Sequence, residues 1–170
     1  GDPGLIFIDE INRHNPTPQV GEIRSTNPCG EQPLLSFESC NLGSINLAKM
    51  VKDGKVNWTK LRRTVRTAVH FLDNVIDVNK YPMPEIGEVT RANRKIGLGV
   101  MGYADMLINL GISYDSEEAL ETGEKTMKSI SEEATKKSVE IGEKRGAFPN
   151  FKGSIWEKRG YKTIRNSTVT

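Results

Sequence analysis

Asn27-Pro28-Cys29-Gly30-Glu31-Gln32-Pro33-Leu34-Leu35, closed by Glu38-Ser39-Cys40-Asn41-Leu42-Gly43-Ser44-Ile45-Asn46-Leu47, holds both cysteines of the 170-residue chain, eleven positions apart. Pro28, Gly30 and Pro33 punctuate the first half, so Cys29 is expected on a tight loop and not inside a helix or a ladder. Asn27, Cys29 and Glu31 alternate, and in an extended loop their side chains would share one side. An amide there can orient a hydroxyl, a carboxylate can accept its proton, and a thiol can donate hydrogen or electrons. Cys40, across a return segment, reaches a disulfide partner if the chain folds back. The competing reading is two inert buried cysteines, and spacing does not decide between them.

Working outward, Asp2-Pro3 combines an N-cap residue with proline at a first helical position. Residues 5–11 follow as a short helix, or Leu5-Ile6-Phe7-Ile8 forms a buried strand; periodicity leaves both open until Asn15-Pro16-Thr17-Pro18. Residues 20–26 approach the cysteine loop extended. Beyond it, residues 42–51 alternate weakly as a return segment, and Asp53-Gly54 makes a turn. Asn57 caps an amphipathic helix with Trp58, Leu61, Val65, Ala68, Val69, Leu72 and Ile76 on one face. Lys60, Arg62, Arg63, Arg66 and Asp73 take the other, as a solvated face or a binding stripe. Tyr81-Pro82-Met83-Pro84 breaks that helix.

Residues 91–95 are basic, Ile96-Gly97-Leu98-Gly99-Val100 alternates like a short strand, and residues 102–110 form a helix closed by Gly111. Asp115-Ser116-Glu117-Glu118 resembles a capping box opening the longest helix, which ends near Arg145-Gly146. Leu120, Gly123, Met127, Ile130, Ala134 and Ile141 mark its expected buried stripe. Phe148, Phe151, Trp156 and Tyr161 are scattered through a Gly- and Lys-rich loop. The chain then stops on Asn166-Ser167-Thr168-Val169-Thr170, a β-branched run that looks like the start of a strand. With no initiator Met, a fragment of a longer polypeptide is expected.

Hydrophobic residues make up 36% and charged residues 27%, enough for a core on the thin side. A formal charge of +2, from 24 basic and 22 acidic residues, argues against nucleic-acid and membrane-surface partners. The absence of a signal peptide and of a membrane-length apolar run, with only two cysteines, predicts a reducing cytoplasm. Gly97-Leu98-Gly99-Val100-Met101-Gly102 matches G-x-G-x-x-G, but no second parallel strand is apparent after it, so close strand-helix packing is the preferred reading. His14 and His70 stand far apart and neither cysteine has a C-x-x-C partner, so no metal site is expected.

The cysteine stretch closely resembles the active-site finger loop of ribonucleotide reductases. It is most similar to the adenosylcobalamin-dependent class (class II), whose loop reads N-P-C-G-E. The iron- or manganese-dependent class (class I) carries other residues beside its cysteine. Gly1-Asp2-Pro3-Gly4 with Phe7-Ile8-Asp9, and Arg94-Lys95-Ile96-Gly97-Leu98-Gly99-Val100-Met101-Gly102, are also similar to that family, so the resemblance covers the whole chain. It implies an α/β fold: residues 1–170 as one incomplete segment of a ten-stranded α/β barrel with long amphipathic helices, and a finger loop at about residues 24–47.

By the same resemblance Cys29 is the cysteine that becomes a thiyl radical and takes hydrogen from the ribose 3′ carbon. Glu31 accepts the 3′-hydroxyl proton, Asn27 hydrogen-bonds substrate hydroxyls, and Cys40 is one member of the redox-active pair. The implied cofactor is adenosylcobalamin, with cobalt inside the cofactor and no protein metal site; no residue of this chain is matched to cofactor binding. Implied partners are a ribonucleotide, expected as the diphosphate, the remaining segments of the same reductase, a thioredoxin-type reductant, and a second copy in a homodimer. The family's other redox cysteine, specificity site, phosphate-binding loop and C-terminal thiols have no counterpart here, so this polypeptide alone is not expected to turn over. The alternatives are a class I large chain and a catalytically silent structural fragment.

Overall fold

In the computed structural model, which describes residues 4–169, the chain opens with the short helix Ile8–Arg13 (α1). Leu5, Ile6 and Phe7 precede it as exposed residues, which overturns the buried-strand alternative and starts the helix later than expected. Asp9 and Glu10 in the first turn favour a helix N-terminus there. The expected helix start at Asp2-Pro3 lies outside the described residues. Asn12 then clamps α1 to the next segment: Nδ2 donates to the Ile23 carbonyl at 2.8 Å and Oδ1 accepts the Ile23 N–H at 2.9 Å.

Ser25–Thr26 (β1) and Pro33–Leu34 (β2) form a small antiparallel ladder, with Ser25 opposite Leu34. The expected return segment divides into the strand Asn41–Asn46 (β3) and the 3-10 turn Leu47–Met50, where Asn46 Oδ1 accepts the Ala48 N–H at 3.1 Å. Val51–Lys52 (β4) and Lys55–Val56 (β5) follow as a tight hairpin. Its central residues Asp53 and Gly54 both have positive φ, as a two-residue hairpin loop of the favoured twist requires.

The helix Trp58–Val78 (α2) begins where Asn57 Oδ1 accepts the Lys60 N–H at 2.9 Å, and it buries Leu61, Val65, Val69, Leu72 and Ile76. Asp73, assigned above to the solvated face, is instead in the core at 1% exposure. Charged partners from elsewhere in the chain hold it there. The prolines that end α2 also start a helix the pattern did not reveal, Pro84–Asn93 (α3), with Pro84 at the first position.

The strand Ile96–Met101 (β6) leads through Gly102 into Tyr103–Leu110 (α4), and Gly102 and Gly111 are both left-handed at the helix ends. In Glu117–Arg145 (α5), Ser116 Oγ accepts the Ala119 N–H at 3.2 Å. The third helical position is Ala119, so the carboxylate half of a capping box is absent. The expected stripe is corrected at its start, since Leu120 is 68% exposed and Ala119 is buried. Eleven residues are about three turns, so counting back from Ile130 reaches Ala119. Gly123 and Met127 are half-buried, while Thr126, Ala134, Ser138, Ile141 and Gly142 complete the inward face.

Downstream, the 3-10 turn Pro149–Phe151 and the helix Ile155–Lys158 (α6) replace the expected loop. Phe148, Trp156 and Ile164 make a second small core there, with Phe151 and Tyr161 packed against it. The last strand is Ser167–Val169 (β7), where the β-branched run predicted one.

β3, β6 and β7 form one parallel sheet in the order β3-β6-β7, with Asn41 beside Ile96 and Ile96 beside Ser167. A parallel strand therefore does follow the glycine motif, contrary to the expectation; a long crossover through α4, α5 and α6 had hidden it. Packing still accounts for Gly102. A Cβ there would lie 2.6 Å from Asn46 Oδ1, the atom that caps the 3-10 turn. α2 and α5 cover the sheet, and Leu72, Ile76, Leu98 and Ile130 belong to the shared core.

A buried charge cluster ties these layers together. Asp73 Oδ1 accepts from Arg94 Nε at 2.9 Å and from Arg165 Nε at 3.1 Å, and Arg94 Nη1 reaches Asp77 at 2.6 Å. Burial opposes the Arg94 charge, yet hydrogen bonds to Asp77 and Asp73 outweigh it and hold the guanidinium pKa above its usual value.

Candidate active site

Asn27 to Gly30 form a β-turn, closed by the Gly30 N–H donating to the Asn27 carbonyl at 3.0 Å. The residue types suit the positions: Asn first, Pro28 second with its fixed φ, and Gly30 last. Gly30 has φ +86°, outside the range that side-chain-bearing residues adopt easily. The extended alternation expected for Asn27, Cys29 and Glu31 is thus replaced by a turn, because Pro28 bends the chain before a second extended residue can follow. Cys29 occupies the third turn position with an exposed thiol, and Glu31 is exposed just after it.

Asn27 is half-buried and braces the loop. Its Oδ1 accepts the Gln32 N–H at 2.9 Å, and its own N–H donates to the Gln32 carbonyl at 3.1 Å. Residues 27–32 are therefore a closed loop on the β1–β2 ladder, presenting Cys29 and Glu31 outward. A cavity of about 320 Å³ lies beside it, bounded by Glu31, Pro33, Lys95, His14 and Val169. Among the described residues, no group of three or more His, Cys, Asp or Glu side chains is arranged to hold a metal ion. No helix there is long and apolar enough to cross a membrane.

Cys40 immediately precedes β3 and is half-buried, with a free thiol. Burial pushes that thiol up to about 11; Lys95 opposes the shift, and Glu38 and Glu31 add to it. Glu38 is the anchor of this second half. Its carboxylate accepts from Lys95 Nζ at 2.7 Å, from Asn93 Nδ2 at 2.8 Å and from the Leu35 N–H at 2.9 Å. Lys95 Nζ also donates to the Pro33 carbonyl at 3.2 Å. The Ser39 N–H donates to Thr90 Oγ1 on α3, and the Ser39 and Thr90 hydroxyls share a second hydrogen bond.

Sequence reasoning missed Lys95 and Glu38 as participants. Lys95 looked like one more residue in a basic run. A signal was present in hindsight: it directly precedes an apolar strand, where a lysine is buried only with a partner. The basic face of α2 resolves differently. Arg66 pairs with Glu133 at 2.8 Å and Glu140 at 2.6 Å on α5, so this part of the stripe fastens two helices.

The site thus combines a thiol displayed on a braced turn beside a carboxylate with a second thiol at the base of a parallel strand. The chain belongs to the ribonucleotide reductase barrel domain family, which matches residues 1–167. It is 64% identical over 170 residues to the vitamin B12-dependent ribonucleoside-diphosphate reductase of Thermoplasma acidophilum, covering 99% of this chain and 22% of that protein. The vitamin B12-dependent ribonucleoside-diphosphate reductase of Mycobacterium tuberculosis is 56% identical over 170 residues, covering 100% of this chain and 24% of that protein. The ribonucleoside-diphosphate reductase subunit alpha of Chlamydia pneumoniae is 40% identical over 165 residues, covering 95% and 16%. This chain thus spans less than a quarter of the length of each of these relatives.

Proposed function

We propose that residues 1–170 are one segment of the catalytic barrel of an adenosylcobalamin-dependent ribonucleotide reductase, with residues 24–47 as its finger loop. The whole enzyme replaces the 2′-hydroxyl of a ribonucleoside diphosphate by hydrogen, making deoxyribonucleotides for DNA synthesis in the cytoplasm. The observation that carries this reading is Cys29 exposed at the third position of the Asn27–Gly30 turn, with Glu31 beside it. The higher identity to two relatives named vitamin B12-dependent, 64% and 56%, against 40% for the chlamydial subunit alpha, favours this class over the metal-dependent one.

The site's chemistry suits the cofactor. An exposed sulfur flanked by Pro28 and Gly30, and not a packed thiol, is open to a group that removes its hydrogen atom. Adenosylcobalamin, when bound, supplies the radical equivalent for that removal. Of this chain's residues only Cys29 is assigned to that encounter. The thiyl sulfur then takes hydrogen from the ribose 3′ carbon while Glu31 accepts the 3′-hydroxyl proton. Asn27 has its Oδ1 engaged by the Gln32 N–H, which leaves Nδ2 to donate to a substrate hydroxyl oxygen. Cys40 and a second cysteine from elsewhere in the enzyme supply two electrons and close to a disulfide, which a thioredoxin-type dithiol reopens. The complete enzyme is proposed to act as a homodimer.

The test uses the complete reductase. Cys29→Ser is expected to abolish both nucleotide reduction and cobalamin-dependent exchange of hydrogen with solvent; retained exchange would overturn the thiyl assignment. Cys40→Ser is expected to keep the exchange and to lose disulfide formation in a single turnover. Activity that requires a separate radical-generating subunit in place of adenosylcobalamin would move the chain to the metal-dependent class.

A further inference from the structure

The Lys95–Glu38 pair has more order around it than an incidental ion pair needs. Its side chains are 1% and 0% exposed, and the Glu38 carboxylate accepts from three donors: Lys95, Asn93 and the Leu35 N–H. The parallel register adds a second fact. The β3–β6 ladder starts with Asn41 beside Ile96, and Cys40 and Lys95 are the residues that immediately precede this pair. In a parallel pair, residues in register project from the same face. The groups whose charge acts on Cys40 are Lys95, Glu38 and Glu31.

We propose that Lys95 and Glu38 are positioning residues for Cys40, a buried pair in which the carboxylate masks the ammonium so that the thiol meets no net positive charge. This rests on the reading of Cys40 as a redox cysteine. Reduction of the substrate converts two thiols and a C–OH group into one disulfide, a C–H bond and water. A thiol kept protonated until that step retains the proton that leaves with the hydroxyl oxygen. The direction of the Cys40 shift agrees with a masked cation, since burial wins over Lys95. Unmasked, a buried ammonium alongside a thiol would draw its proton away.

The test is the pH profile of iodoacetamide alkylation at the Cys40 peptide, read by mass spectrometry on the complete reduced reductase without substrate. Glu38→Gln is expected to move the profile down by about one unit, a roughly tenfold faster reaction near pH 8, because rate follows the thiolate fraction. Lys95→Met is expected to move it up, and the double variant to return toward the wild type. Glu38→Asp, which shortens the side chain but keeps its charge, is expected to stay near the wild type. A pair that only braced the loop would behave differently, since every variant would loosen it and move the profile down toward an exposed thiol. Downward movement in Lys95→Met, or in Glu38→Asp as far as in Glu38→Gln, would overturn the proposal. These profiles need no turnover, so they are separate from the single-turnover assay of Cys40→Ser. Opposite shifts alongside unimpaired disulfide formation in Cys40→Ser would refute only the redox role.

Discussion

Asn27 serves two ends with one side chain. Its Oδ1 holds the Gln32 N–H, which closes the loop, and in the proposed function its NH2 group donates to the substrate. Truncation should therefore be felt even without substrate. A typical hydrogen bond contributes about 1 kcal/mol, or roughly a fivefold change in a local equilibrium. Asn27→Ala is expected to speed amide hydrogen exchange at Gln32 by about that factor, with exchange in α2 unchanged. Unchanged protection at Gln32 would show that the turn closes without the side chain. The sequence marked the loop as tight. It did not show the direction of the side chains, because the Gly30-to-Asn27 bond that replaces the extended path is one hydrogen bond among several available to so short a segment.

Among the elements, the glycines at the two ends of α4 separate strain from crowding. Gly102 and Gly111 have nearly the same left-handed φ, +70° and +74°. A side chain at Gly111 meets nothing within 4 Å, whereas one at Gly102 meets Asn46 Oδ1 at 2.6 Å. A left-handed conformation costs an L-residue about 1–2 kcal/mol. Gly111→Ala is expected to lose roughly that much stability. Gly102→Ala should lose more, since it also displaces the cap on the 3-10 turn, and thermal or urea unfolding midpoints would measure both. Equal losses would remove the crowding argument. Helix periodicity made α2, α4 and α5 legible, and Asn57, Ser116 and Gly111 marked their ends. α3 stayed hidden because its ten residues bury only Gly87, Thr90 and Asn93, which carry no apolar stripe.

For the whole molecule, Asp73 is the residue on which separate layers converge. Arg94 and Arg165 both donate to it, and its side chain is 2% exposed. Removing one partner of a buried ion pair typically costs about 3–5 kcal/mol, because the remaining charge loses its compensation. Asp73→Leu is expected to fall in that range and to loosen the approach to β7, read as faster exchange at residues 163–167. A surface substitution such as Lys60→Ala should leave both unchanged. Acid should act through exposed carboxylates as well. The Arg94 hydrogen bond holds the Asp77 pKa below its usual value, and the Arg66 hydrogen bond does the same for Glu140. Groups with depressed folded-state values add stability above their unfolded pKa, near 4, and lose it as pH falls through the lowered value. Unfolding midpoints are therefore expected to hold steady from neutrality to about pH 5 and to drop below pH 4. Asp77→Asn with Glu140→Gln should flatten that drop, and an unchanged slope would exclude these two as its source.

What the sequence determined by itself was local: which residues punctuate the loop, where the long helices begin, and which apolar positions share a helix face. These follow from backbone restriction and from a period that a few turns suffice to display. The tertiary structure decided the rest. Asp73 lies inward because Arg94 and Arg165 arrive from positions 21 and 92 residues away. β7 joins the sheet after a crossover too long for a pattern to signal. Lys95 stands beside Cys40 only because β3 and β6 pair in one register and not another. Charge compensation and strand register are relations between distant segments, and they take their values only once the chain has closed on itself.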